Sequence, residues 1–139
     1  MNAIDTNVFV YAFDADELIK QAKAHALLDR LVQKPLESVL LWQVGGELLS
    51  CLRKWELAKR ITPTDAKAHF RDVFALFPLS LPHPDLFEIS FELKSQFSLS
   101  HWDSMLLAAC KKADVSTLYT EDLDAGTDYD GIAIVNPFA

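Results

Sequence analysis

The sequence predicts an α/β fold, a parallel-sheet α/β/α sandwich whose short strands are covered by helices on both faces. Three observations predict it. Short apolar runs alternate with longer stretches of helical periodicity, the pattern of strand–crossover–strand units. The four glycines and six prolines fall at plausible element boundaries. Half of the 139 residues are hydrophobic and 24% are charged, which suits one core and makes residues 1–139 a single domain.

The elements follow in order. Residues 2–5 read as a first strand and residues 38–42 as a second, buried one. Between them, residues 16–33 are helical, with Ile19, Ala22 and Ala26 on one side. Residues 44–60 form a helix with Val44, Leu48, Cys51, Leu52 and Trp55 at helical spacing. The next helix, 63–75, opens on Thr62-Pro63-Thr64-Asp65: an N-cap, a proline at N1 and an acid at N3. Residues 77–81 make a strand that Pro78 confines to an edge or a strand start. A helix over 85–97 follows Pro84. Residues 102–113 repeat apolar side chains at 102, 105, 106, 109, 110 and 113, which places Trp102, like Trp55, in the core. Residues 117–119 and 132–135 are the last two strands. No repeat, linker or low-complexity segment interrupts the pattern.

Composition excludes several classes. No apolar run approaches the ~18 residues of a transmembrane helix. The N-terminus has no basic region leading into an apolar one, so no signal peptide is expected. Cys51 and Cys110 fall on apolar helical faces and read as buried free thiols of a cytoplasmic protein. The net charge of −7 argues mildly against nonspecific nucleic-acid binding. Residues 1–69 balance nine basic against nine acidic residues, whereas residues 70–139 hold four and eleven. Five carboxylates and no cation lie within residues 121–130. They form either a uniformly acidic surface or a local well awaiting cations.

In parallel sheets, sites form beyond the carboxyl ends of the strands. Four carboxylates are placed there: Asp5 at the end of the first strand, Glu47 near the start of the helix after the second, Asp122 just after the strand 117–119, and Asp103 at the N-terminus of the helix leading into that strand. Each also has an ordinary structural explanation. Asp5 suits a helix cap, Glu47 a solvated helix face, Asp103 the capping-box pattern Ser100-His101-Trp102-Asp103, and Asp122 a polar turn. Four independent placements at one edge favour a shared role. Such a cluster repels itself unless a hard divalent cation, magnesium or manganese, is bound through oxygen. That chemistry suits attack of water on a phosphodiester.

Taken together these residues resemble the PIN domain, in particular the VapC-type toxin ribonucleases of toxin–antitoxin pairs. The resemblance runs over nearly the whole chain. It lies in Asp5-Thr6-Asn7-Val8-Phe9-Val10-Tyr11, in Glu47 within Gln43-Val44-Gly45-Gly46-Glu47-Leu48-Leu49, and in Leu99-Ser100-His101-Trp102-Asp103-Ser104-Met105-Leu106-Leu107-Ala108-Ala109. Leu118-Tyr119-Thr120-Glu121-Asp122-Leu123 and Val135-Asn136-Pro137-Phe138 complete it. It implies a Mg2+- or Mn2+-dependent endoribonuclease with Asp5, Glu47, Asp103 and Asp122 as its acidic quartet. Thr120 and Asn7 would orient a carboxylate or a metal-bound water from the second shell. It also implies a cognate antitoxin, an RNA substrate and a homodimer, with the helices over 16–33 and 44–75 as paired hairpin partners at the dimer surface and the antitoxin groove.

Departures from the family pattern are Ser104 where alanine is usual and few residues ahead of Asp5, which predicts a first strand that is frayed or supplemented by a partner. Asp124 and Glu121 rival Asp122 for the fourth acid; spacing from Thr120 favours Asp122. Arg53, Lys54, Lys59 and Arg60 are candidate phosphate contacts, and Trp42, Trp55 and Trp102 candidate base-stacking groups. His25 and His69 read as structural, and no zinc or P-loop motif is present. A haloacid-dehalogenase-type phosphatase would need Asp where Asn7 stands. A PIN-like module that binds without catalysis remains the alternative.

Overall fold

The structure is a computed structural model that describes residues 1–139. Its strands and helices alternate in the order β1 (Asn2–Ile4), α1 (Thr6–Phe13), α2 (Leu18–Leu31), a 3-10 turn (Pro35–Glu37), β2 (Ser38–Leu41), α3 (Trp42–Leu57), α4 (Pro63–Phe74) and β3 (Leu79–Ser80). The second half continues with α5 (Asp85–Phe97), α6 (His101–Lys112), β4 (Thr117–Tyr119), β5 (Asp128–Tyr129) and β6 (Ile132–Val135).

One six-stranded sheet runs β3-β2-β1-β4-β6-β5. Every pairing is parallel except β5 with β6. All four side chains of β2 are buried. Successive strand residues point to opposite faces, so helices must cover both. The apolar core is one cluster of 31 residues centred on β1, β2, β4 and the inner sides of α1, α3 and α6. β1 is not frayed. It is the central strand, paired with β2 and β4, and Met1 O accepts the Ser116 amide at 2.8 Å.

The predicted Thr62 cap is present in full. Thr62 Oγ1 accepts the Asp65 amide at 3.1 Å, and Asp65 Oδ2 accepts the Thr62 amide at 3.2 Å. β3 lies on the sheet edge, where Pro78 requires it.

Asp5 is the N-cap of α1, the helix-cap role that it suits in sequence. Several expectations are corrected. α2 buries Ala24, Leu27 and Leu31, while Ile19 is 76% exposed and Ala22 and Ala26 also face solvent. α2 packs on α1, α3 on α4 and α5 on α6, so the helices within 44–75 pair with each other as a hairpin. Trp42 ends the β2 segment by opening α3, and Gly45 and Gly46 lie inside that helix. β5 went unread. It returns to β6 through Asp130 (φ 55°) and Gly131 (φ 95°), the two left-handed residues of a tight hairpin turn. Trp102 is 64% exposed, because it sits in the first turn of α6, beyond the sheet edge. Cys110 is buried, Cys51 half-buried, and both are free thiols.

The carboxylates of residues 121–130 are also dispersed. Glu121 pairs with Lys20 at 3.0 Å and Asp130 with Lys111, while Asp128 Oδ1 accepts the Gly131 amide at 2.6 Å. Asp124 lies exposed in a turn. Only Asp122 points its carboxylate to the residues described next.

Candidate active site

Asp5 stands where β1 becomes α1. Its backbone N–H donates to Tyr119 O (2.9 Å), which completes the β1–β4 ladder and fixes where the side chain leaves. Oδ1 then caps α1 by accepting the Thr6 amide at 2.7 Å, and Oδ2 accepts the Thr120 hydroxyl at 2.7 Å. The residue is 6% exposed. Burial pushes its carboxyl up to about 6; the hydrogen bonds from Thr120 and Thr6 pull the other way, and the charges of Glu47 and Asp122 add to the rise.

Thr120, at the end of β4, is fully buried and fully used. Its hydroxyl donates to Asp5 and accepts from the Asp122 amide (3.1 Å) and Asn7 Nδ2 (3.3 Å). Asn7, in the first turn of α1, aims the same amide nitrogen at Asp5 Oδ2 (3.4 Å) and Asp122 Oδ2 (3.1 Å). Two carboxylates flank it, so the nitrogen must face them. Asn7 Oδ1 is then left buried without a partner.

Glu47, in the second turn of α3, is exposed and reaches this web through α1. Its Oε2 accepts the Thr6 hydroxyl at 3.2 Å and its Oε1 accepts Gln43 Nε2 at 2.8 Å. Gln43 Nε2 also donates to Trp102 O (3.3 Å), joining α3 to the start of α6. There Ser100 Oγ accepts the Asp103 amide at 3.2 Å. The reciprocal half of the capping box is absent: the half-buried Asp103 carboxylate has no hydrogen-bond partner.

The structure therefore joins Asp5, Asn7, Thr120 and Asp122 directly, and Glu47 through Thr6. Asp103 meets them only through Gln43 and the Trp102 backbone. No three of these acids stand close enough to enclose one ion as placed. Asp122, not Asp124 or Glu121, faces Asn7.

The proposed phosphate contacts are less uniform. Arg53 and Lys54 are exposed near the far end of α3, about 9 Å or more along the axis from Glu47. Lys59 is exposed in a left-handed turn. Arg60 is committed elsewhere, to Asp14 and Asp16 at 3.0 Å each and over the Trp55 ring at 4.4 Å.

Sequence reasoning gave no role to Thr6, Gln43 or Lys20. Thr6 and Gln43 stand inside the quoted motifs, and their hydroxyl and amide are the available signal. Lys20 has none. Its ammonium bonds Tyr11 Oη and Glu121 Oε2, both at 3.0 Å, and lies 4.5 Å from the centre of the Tyr11 ring. These bonds raise its own pKa and tie α2 to the residue beside Asp122. His25 holds Ala12 O at 2.7 Å and His69 stacks on Phe13, both structural as expected.

The acids Asp5 and Asp122 lie beyond the carboxyl ends of β1 and β4, the edge at which parallel α/β sheets form their sites. The family model of the PIN domain matches residues 3–127, and the chain belongs to that family. Solved structures share the fold across almost the whole chain. A toxin–antitoxin complex from Klebsiella pneumoniae is 18% identical, covers 99% of this chain and 98% of its own, and has a TM-score of 0.70. VapBC2 from Rickettsia felis, bound to a DNA fragment from its promoter, is 13% identical over 97% of both chains, with a TM-score of 0.73. The sarcin–ricin-loop-cleaving toxin VapC20 of Mycobacterium tuberculosis is 19% identical over 89% of this chain and 92% of its own, with a TM-score of 0.60. No curated protein sequence gives a significant match. No helix is long and apolar enough to cross a membrane.

Proposed function

We propose that the protein is a Mg2+- or Mn2+-dependent endoribonuclease and the toxin of a toxin–antitoxin pair. It would act in the cytoplasm as a homodimer held in check by a cognate antitoxin chain, and residues 1–139 would fold as one domain. The observation that carries this reading is the Asp5 carboxylate. It is buried, raised to about 6, and faced by two further acids with no free cation beside it, since Lys20 is spent on Glu121. A pocket of that charge is completed by a cation.

The residues fit a hard divalent ion. Every donor of the acidic set is a carboxylate oxygen, the ligand type that hard divalent ions take. Asp5, Asp122, Glu47 and Asp103 would hold the ion. When bound, it supplies an activated water and a counter-charge for the phosphate. The chain's own residues do the rest. Thr120 and Asn7 orient Asp5 and Asp122, while Thr6 and Gln43 hold Glu47. Ser100 stations Asp103 at the start of α6 and leaves its carboxylate free. The fold shared with a sarcin–ricin-loop-cleaving toxin, with a toxin–antitoxin complex and with VapBC2 supports RNA as substrate and an antitoxin as partner.

The test is cleavage of structured RNA with magnesium or manganese, with a chelator control and the variants Asp5→Asn and Asp103→Asn. Metal-dependent cleavage lost in both variants is the expected result. One observation favours a second reading, a module that binds without cutting: no three acids enclose one ion as placed. A divalent-ion titration showing no binding, with no cleavage of any RNA, would establish that reading instead.

A further inference from the structure

Beside the acids lies a groove of about 700 Å3 that their chemistry does not use. Glu47 lines it, so the groove opens directly onto the acidic centre. Two indoles line it as well. Trp42 opens α3 and is 56% exposed; Trp102 is in the first turn of α6 and is 64% exposed. Gln43 Nε2 donates to Trp102 O, so the turns that carry the two rings are tied together before any ligand arrives. Met105 adds apolar wall, and the polar groups of Gln43 and Ser50 are neutral. The one cation of the lining, Lys112, is held by Asp85 at 2.8 Å.

The geometry points to a base-stacking subsite, in which unpaired nucleobases of single-stranded RNA lie against Trp42 and Trp102 next to the acidic centre. This inference rests on the ribonuclease reading and names its substrate class. Large exposed indoles are planar apolar platforms, and every base offers a matching π-face. Neutral amide and hydroxyl groups suit the edges of a base, whereas a groove without a free cation does not suit a phosphate. Glu47 lines both the groove and the acidic centre, so a nucleotide next to a phosphate held at that centre is within reach of the two indoles. Bases inside a duplex are already stacked and cannot enter. A looped or single-stranded segment is therefore the expected target.

The experiment is a fluorescence titration of the Asp5→Asn protein, which keeps the RNA whole, with oligoadenosine of about a dozen nucleotides in magnesium. A duplex of equal length is the comparison. Quenching of indole emission by the single strand and not by the duplex is expected. Trp42→Leu and Trp102→Leu should each weaken binding about ten-fold, and the Phe replacements should retain part of it. Both rings are more than half exposed, so the variants should fold, and far-UV circular dichroism checks that. Undiminished single-strand affinity in the double Leu variant would overturn the subsite while metal-dependent cleavage of RNA by the wild type kept the ribonuclease reading intact. Equal binding of duplex and single strand would also overturn it. A change of oligomeric state in the Leu variants with RNA binding unchanged would assign the groove to a protein contact. Absence of both RNA binding and cleavage would remove the ribonuclease reading and the subsite with it.

Discussion

The two sides of the acidic centre are built differently. On the β1–β4 side, Asp5 and Thr120 are buried and interlocked with Asn7 and Asp122, so that moving one group breaks bonds to the others. On the α3–α6 side, Glu47 is exposed and accepts one hydrogen bond each from Thr6 and Gln43, and the Asp103 carboxylate makes none. One half is preorganised and electrostatically strained, the other loose. On the metal-dependent reading proposed above, the most costly charge stays fixed while Glu47 and Asp103 would be free to close on an ion. The contrast predicts that substitutions on the two sides, even where they cost the same activity, differ sharply in what they do to stability.

The largest effect belongs to Asp5→Asn. Cleavage should fall to background. The metal-free protein should become more stable at pH 7, because the substitution deletes a charge whose burial lifts its pKa from 3.8 to about 6. That displacement is worth at most about 3 kcal/mol, reduced by the cost of turning an amide nitrogen toward Asn7. The pH dependence has a definite sign. The unfolded chain loses the Asp5 proton near 3.8 and the folded chain near 6. Stability relative to the Asn variant is therefore full below about pH 4, declines as pH rises through about 6, and is flat above. Urea unfolding of both proteins across that range in chelator measures it. Adding magnesium should abolish the decline if Asp5 is a ligand, since a cation stabilises the ionised form. A decline unaffected by magnesium would break the link between the buried charge and the metal.

Thr120→Val comes next. It keeps the shape and removes a hydroxyl that makes three hydrogen bonds inside the fold. Unpartnered buried groups cost about 1–3 kcal/mol, so the variant should lose that much stability. Metal affinity or activity should fall about 10–100-fold, the usual consequence of removing a group that orients a ligand. Gln43→Leu makes the matching change on the loose side, and its smaller loss of stability would sharpen the comparison. An equal loss would mean that the loose side is as tightly coupled as the other.

The legibility of these two sides in the sequence also differed. Asp5 and Asp122 are legible together because each falls at a strand end, and strand ends in a parallel sheet share an edge, whereas Asn7 and Thr120 are legible only through the family resemblance. The strands 117–119 and 132–135 and the helix 85–97 were read to the residue, since Pro84 and the polar turns punctuate them sharply. Asp5 marks a helix cap in the sequence, but the bounds of α1 are not legible there, because eight residues hold too few turns to show a period. The buried side of α2 was misread because alanines lie on both its faces. Trp102 follows the apolar stripe of α6 in sequence, yet its turn lies past the sheet, where no layer covers it. The Lys20–Glu121 pair joins residues 101 positions apart, a contact that only the folded chain can reveal.

The smallest expected effect on stability is the most discriminating. Asp103→Asn should abolish cleavage as completely as Asp5→Asn while leaving the unfolding free energy within about 0.5 kcal/mol of wild type, because its half-buried carboxylate makes no hydrogen bond that the amide would lose. The α6 cap is made by its backbone N–H on Ser100 Oγ, and the substitution keeps that bond. Magnesium should stabilise the wild type against urea and stabilise Asp103→Asn less, since a ligand has been removed from the folded state alone. If Asp103→Asn kept full activity, the acidic centre would consist of Asp5, Asp122 and Glu47 only, and the free carboxylate at the start of α6 would be no more than a favourable charge on a helix N-terminus. If it lost activity and also lost several kcal/mol, Asp103 would belong to the interlocked side, and the division of the centre into a fixed half and a closing half would be wrong.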